Sequence, residues 1–546
     1  MSIIYTALIV LLIAEGVPAA ELAAAGATTP FTYVSGPTNC TRTAGYPDPE
    51  ICTIPGETPL ATFSVPQPGA TYIDRNFGST VKLLTGFGAS HGYATPSAFS
   101  ATGKYVAVAV KDVQVNVVET ATGRMLFTGR PGTVTGDTIR WDAMDDDVYY
   151  AFGASQVRKH KLSTNTTTVL VDYATDGHRF TGLSGGGTGD TSKDNWLGFW
   201  AAAQHQVCVV DLKSVKTYCA DYLASGVVSK VGIANVDFVN VSKGVDSRTG
   251  KRYVLLMSNP AIAVFSVNNT TGALDFEFRG PELPADFQVS NRGNSNGVCE
   301  PGETCFGSYH SDTFEDSDGQ QYIAFVGDLE TPCQRSVVTA QIGKGLLMLK
   351  PLSLGGGRTD AMLLHLCGGG PTELWAENHT GCAKNAAYCV VSTNYTLSRD
   401  PTDLATAINR TSHLSELIVM RANGTEIRRI AQTRSIQFAN DWYWSTARAS
   451  ISADGKQIAW DSNFGYPNRG QAVAMAETGF GRAAASQCDL NQDGYTTVSD
   501  VQLVINQVLG LSPCGTGDLA GDGKCGIVDI QRVINAVLGN TCKVGL

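Results

Sequence analysis

Near the C-terminus, two stretches place oxygen-bearing residues at alternate positions. The first carries Asp489, Asn491, Asp493, Tyr495, Thr497 and Asp500, with Gly494 between the third and fourth. The second begins 29 residues later and carries Asp518, Asp522, Gly523, Lys524 and Asp529. Calcium takes six to eight oxygens, and a twelve-residue loop supplies them from positions 1, 3, 5, 7, 9 and 12, with Gly at 6. Asp489, Asn491 and Asp493 fill the first three of these positions. Tyr495 offers its carbonyl, Thr497 acts through water, and Asp500 closes the loop. In the second loop Asp518, Asp522 and Asp529 hold positions 1, 5 and 12, and Lys524 offers a carbonyl. Ala520 and Gly526 bring no side-chain oxygen to positions 3 and 9, so weaker binding is expected there. Each loop runs into apolar residues at helical spacing: Val501, Val504, Ile505 and Val508, then Ile530, Val533, Ile534 and Val537.

Other chemistry is more scattered. His91, His310 and His365, with Asp312 or Asp194, could meet at a channel mouth and hold a metal. The plainer expectation is that they are surface or turn histidines. Asp145 to Asp147 and Glu315 to Asp318 read as solvated turns and not as paired carboxylates for glycoside chemistry. Trp196, Trp200, Trp442, Tyr443 and Trp444 could stack on sugar faces, but in a β-rich body they read first as core. No catalytic residue is identifiable.

The paired loops closely resemble a type I dockerin, a calcium module of secreted assemblies, from Cys488 to Val544. The closing aspartates Asp500 and Asp529 fit that family. The resemblance implies Ca2+ as cofactor and a cohesin-like or cell-surface protein as partner. It places Val498, Ser499, Ile527 and Val528, at loop positions 10 and 11, in the partner-binding face. These differ from the family's common Ser-Thr pair. A calcium-stabilised cap docked on the chain's own body is the other expectation.

The elements that carry these residues are of two kinds. From about 75 to 485 the chain reads as seven strand pairs separated by Gly, Asn, Asp and Ser turns. Examples are Ser100 to Val110 with Val115 to Val118, Asp147 to Phe152 with Val157 to Leu162, and Lys456 to Trp460 with Ala472 to Met475. Units that cannot bury both faces alone stack radially. The fold class expected is therefore mainly β: a seven-bladed β-propeller with a small α-helical paired calcium-loop module. Arg75 to Leu84 is expected to close the ring against Gln471 to Ala476. The string Ser452-Ala-Asp-Gly-Lys-Gln-Ile-Ala459 resembles the turn-and-strand signature of Tol-B-like propellers, and Ser100 to Ala107 is a looser copy.

The expected organisation is a signal peptide over 1–27, a disulfide-pinned arm over 28–74, the propeller over 75–485 and the tail module over 486–546. The apolar run Ile3 to Ala14 followed by small residues supports secretion, and no later segment is long enough for a stable transmembrane helix. Charged residues make up only 16 % of the 546, with a net charge of −10. That composition excludes a coiled coil and a polybasic nucleic-acid binder. Fourteen Cys fit an oxidised extracellular protein. The expected pairs are Cys40–Cys52, Cys208–Cys219, Cys299–Cys305, Cys382–Cys389, Cys488–Cys514 and Cys525–Cys542, while Cys333 and Cys367 could join two units or pair elsewhere. The leading expectation is a secreted calcium-binding structural or adhesive protein that assembles with copies of itself or attaches to a surface. The alternative is a carbohydrate-active enzyme, lyase or hydrolase, or a glycan-binding propeller, carried by a dockerin.

Overall fold

A computed structural model describes residues 39–42, 49–53, 64–74 and most of 79–479. Within the last span it leaves out 111–113, 128–138, 185–188, 224–237, 281–310, 329–334, 349–377, 397–415, 422–426, 438–445 and a few shorter stretches. It also describes 487–545 apart from 489, 491–495, 497, 516 and 539–541. The expected signal peptide therefore lies outside the described residues.

The body is mainly β and propeller-like. Among the described residues there are seven antiparallel sheets of four or five strands: six follow one another along the chain, and the seventh combines strands from both ends of the body. The first comprises Ala89–Ser90, Tyr105–Val110, Gln114–Glu119 and Met125–Phe127. The second opens with Ile139–Trp141, the third with Leu183–Ser184 and the fourth with Phe238–Val241. The fifth opens with Ser311–Glu315 and the sixth with Asn378–Cys382. The seventh joins Ser450–Ile451, Gln457–Ser462 and Ala472–Glu477 to two strands from the chain start, Thr80–Leu83 and Thr71–Ile73. All seven strand pairs read from sequence are central strands of these sheets. The expected closure is present too, with Leu83 opposite Ala474 and Val81 opposite Ala476. The pairing begins at Thr71, ahead of the expected start of the body.

One turn recurs because one side chain can make it. Ser100 N–H donates to Tyr105 O, and the Ser100 hydroxyl oxygen accepts from Tyr105 N–H at 3.1 Å. Ser452 repeats this with Gln457, Ser192 with Trp196 and Ser242 with Tyr253. Gly103 and Gly455 then sit at φ +77° and +76°, where a Cβ is disfavoured. A Cβ on Gly455 would lie 2.7 Å from the Tyr388 ring of the neighbouring sheet.

Apolar faces bind each sheet to the next. Trp141 and Tyr149 of the second sheet pack with Ala107 and Val117 of the first. Phe152 and Phe199 join the second and third, and Val209 and Phe265 the third and fourth. Thr313 donates to Val241 O between the fourth and fifth. Phe314 and Val391 join the fifth and sixth, and Val419 and Trp460 the sixth and seventh. Val106, Val108 and Met475 bring the seventh back onto the first, closing a ring. The closing strands also reach sideways. Asp74, fully buried, accepts from Gln432 N–H at 2.9 Å, and Lys82 donates to the carbonyls of Thr120 and Ala121.

The tail is two helices, α1 (Val498–Val508) and α2 (Ile527–Val537). Their small core repeats at the 29-residue offset of the loops: Leu490 with Leu519, Val504 with Val533, and Ile505 with Ile534. No helix among the described residues is long and apolar enough to cross a membrane.

Candidate functional site

The centre of the ring is occupied by two buried ion pairs. Lys384, in the turn after the sixth sheet's first strand, places Nζ 3.0 Å from Asp190 Oδ1 in the third sheet. It also donates to Thr191 Oγ1 at 2.6 Å. Lys243, after the fourth sheet's first strand, lies 3.0 Å from Asp312 Oδ1 in the fifth. All four side chains are 3 % exposed or less. Asp190 further accepts from Ser97 N–H of the first sheet, and Asp312 from Cys382 N–H of the sixth. The two aspartates sit in a repeated device. Each is followed by a Thr whose hydroxyl donates to a carbonyl of the preceding sheet, Thr191 to Trp141 O and Thr313 to Val241 O.

Burial alone would raise the pKa of Asp190, but the ammonium groups of Lys384 and Lys243 outweigh it and hold the carboxyl below its ordinary value. Asp312 ends raised, because burial is reinforced by the negative charge of Asp190. Burial lowers the Lys384 pKa against the pull of Asp190. Each charge is answered by a partner, so this cluster cross-braces nonadjacent sheets. Gly381 lies in the same layer, where a Cβ would approach Ala94 O to 2.6 Å.

Among the described residues, His91, Asp194 and Asp312 each have separate partners, and His91 is buried where a surface or turn position was expected. Asp312 belongs to Lys243, whereas Asp194 pairs with Arg252 and accepts from Ser192 Oγ at 2.7 Å. His91 is buried beside Asp461, with Nε2 3.9 Å from Oδ1, and Asp461 also pairs with Arg448 at 3.2 Å. Burial keeps the His91 pKa below its ordinary value, against the attraction of Asp461. His310 and His365 lie outside the described residues. The acidic turns hold nearby backbone: Asp145 accepts from Asp147 N–H, Asp147 from Ser163 N–H just past the end of the adjoining strand, and Asp316 from Gln320 N–H. Trp196 is core-facing, stacked on Tyr218 at 5.6 Å with the Arg252 guanidinium 4.7 Å from its ring. Trp200 packs on the same cluster. Trp442, Tyr443 and Trp444 lie outside the described residues.

A surface feature lies at the ring seam. Phe87 and Tyr466 sit edge-to-face with centroids 6.0 Å apart, over the buried Phe464. The exposed Arg469 guanidinium lies 4.6 Å from the Tyr466 ring and 5.7 Å from that of Phe87. No local sequence signal marked this group, because its members come from residues near 87 and 466.

In the tail, Asp500 is buried at the start of α1 and accepts from Leu490 N–H at 2.8 Å. Asp529 does the same for α2, accepting from Ala520 N–H and Gly526 N–H at 2.7 Å each. Asp489, Asn491, Asp493, Tyr495 and Thr497 lie outside the described residues. Asp518 and Lys524 are in the second loop, with Asp522 accepting from Lys524 N–H at 3.0 Å. Val498 and Ser499 open α1. Ile527 and Val528 open α2, each 55 % exposed beside a buried core.

The tail disulfides differ from the expected pairs: they are Cys488–Cys542 and Cys514–Cys525. Cys488 packs against α2, its Sγ 3.7 Å from Arg532 O, so its partner comes from beyond α2. Cys525 faces Gln507 near the end of α1, where Cys514 is at hand. Cys208–Cys219 and Cys382–Cys389 bridge opposed strands as expected. The backbone register sets Cys40 opposite Cys52. Cys299, Cys305, Cys333 and Cys367 lie outside the described residues.

No protein-family model matches the chain, and no curated protein matches it. Among solved structures, an oligogalacturonate lyase in complex with manganese is 15 % identical, covers 76 % of this chain and 96 % of its own, and has a TM-score of 0.43. An oligogalacturonate lyase from Vibrio parahaemolyticus is 11 % identical over 75 % and 96 %, with a TM-score of 0.42. The WD40 repeats of RRP9 are 9 % identical over 75 % and 99 %, with a TM-score of 0.40. The architecture given above rests on the sheets and their packing, and not on these overlaps.

Proposed function

We propose that this chain is a secreted, seven-bladed propeller carried by a dockerin-like tail that attaches it to a protein at a cell surface or in an extracellular assembly. The observation that carries this reading is the exposure of Ile527 and Val528. They open a helix whose other apolar residues pack inward, and they stand at the loop positions that the dockerin resemblance gives to the partner. Five side chains of the first loop, Asp489, Asn491, Asp493, Thr497 and Asp500, bring the oxygen donors calcium requires. When bound, the ion would supply charge neutralisation and a fixed loop at the start of α1. The partner is a cohesin-like protein or a second copy of the chain. The test is binding of the purified chain, with calcium, to isolated surface proteins of the secreting cells. Equal binding by an Ile527→Asp/Val528→Asp variant that still folds would sink the attachment role.

The body also carries a surface suited to carbohydrate. At the seam, Arg469, Tyr466 and Phe87 combine aromatic area with an exposed cation, the pairing that recognises sugar faces bearing anionic groups. Incubation with a panel of neutral and acidic polysaccharides tests it through both retention and cleavage. No retention by any of them, or retention unchanged in Arg469→Ala/Tyr466→Ala, would remove it.

A further inference from the structure

The second tail loop has the wrong donor set for calcium and has its own means of staying closed. We infer that it binds no cation and that it presents Ile527 and Val528 whether or not calcium is present. The link to presentation rests on the attachment reading above; the absence of a second ion does not.

Each carboxylate of the loop is already engaged by backbone donors. Asp518 Oδ1 accepts from Gly521 N–H at 2.8 Å and Asp522 N–H at 3.1 Å, while its Oδ2 accepts from Gly523 N–H at 2.8 Å. Gly521 and Gly523 reach φ +71° and +80° to turn these N–H groups toward it. Successive N–H groups arranged this way form an anion-binding nest, and here the anion is the loop's own aspartate. At the far end, Asp529 divides its two oxygens between Ala520 N–H and Gly526 N–H, which fastens the loop to the first turn of α2.

The remaining positions do not compensate. Ala520 is buried against the tail core and has no oxygen to give, and Gly526 has none either. Lys524 is exposed and adds a positive charge beside a loop that would have to receive a cation. Among the described residues, no three acidic or imidazole groups come together as a metal-holding set. The Cys514–Cys525 disulfide and the bond from Arg532 Nη1 to Leu519 O at 2.6 Å hold the loop to the helices independently of any ion.

Calorimetric titration of the full chain with calcium alone tests this directly. The expected result is no more than one equivalent bound, abolished by Asp489→Ala. Two equivalents, or uptake that persists in Asp489→Ala, would overturn it. Zero equivalents would remove calcium from the first loop while supporting the inference for the second. Hydrogen exchange gives a second readout that needs no variant. Amides 520–526 are expected to exchange within threefold of the same rate in calcium and in chelator. Tenfold faster exchange of those amides on chelation alone would contradict the inference. A failure of surface binding with both results intact would count against attachment only.

Discussion

Replacing Lys384 by Met removes the charge that answers Asp190 at the centre of the ring. Both side chains are about 3 % exposed, so water cannot take over from the lost ammonium. Breaking a buried pair by removing one partner costs about 3–5 kcal/mol. Lys243 also acts on Asp190, which puts the expected loss near the lower end, about 3 kcal/mol. With an unfolding entropy of about 2.1 cal/mol/K per residue over roughly 400 residues, that loss is about 4 °C in Tm. Asp190→Asn keeps an oxygen for Ser97 N–H or Thr191 N–H and removes the charge. The double variant Lys384→Met/Asp190→Asn is therefore expected to recover at least half of the Lys384→Met loss. Thermal and urea unfolding of the wild type, both single variants and the double form the required cycle. Additive losses, or a Lys384→Met loss below about 1 kcal/mol, would refute the buried-pair reasoning. The sign with pH is also fixed. Asp190 has a lowered native pKa, so its contribution is present above the ordinary carboxylate value and is lost on acidification through the lowered one. The Lys384→Met penalty should therefore shrink at acidic pH, where Asp190 takes up a proton.

Further expectations follow from single features. Gly455→Ala forces a Cβ toward the Tyr388 ring at positive φ and should cost at least about 1–2 kcal/mol in chemical denaturation; a neutral substitution would contradict the turn geometry. His91 is held neutral below its ordinary pKa of about 6.5, so the native state binds fewer protons than the unfolded chain in that window. Stability should fall as pH drops from about 7 toward 5, and His91→Gln should flatten that slope; an unchanged slope would assign it to other groups. Removing the Cys488–Cys542 bridge, which closes 54 residues, should cost the tail about 4 kcal/mol by the chain-entropy estimate. It should open the tail to protease while leaving the body's transition in place.

Much of the body could be read from the sequence because its central strands are apolar and regularly punctuated. Lys456 to Trp460 and Ala472 to Met475 declare themselves, and so does the closing segment before Leu84. The inner strands do not. Ile139–Trp141 is only three residues long, and Leu183–Ser184 two. The central charges were equally hidden. Asp190 and Lys384 are 194 positions apart, and only the ring brings them together. The one local clue was the repeated Asp-Thr at 190–191 and 312–313, whose meaning depends on a neighbouring sheet's carbonyl. The tail was legible in its 29-residue offset but not in its disulfides. Those follow from how α1 packs on α2, which loop spacing does not reveal.

The proposed attachment through Ile527 and Val528 is tested by the share of the protein retained on cells that express it, compared between the wild type and Ile527→Asp/Val528→Asp. Both substitutions are at exposed positions, so the variant's Tm should match the wild type's. The expected result is retention of the wild type and release of the variant into the medium. Equal retention of two equally folded proteins would contradict the claim.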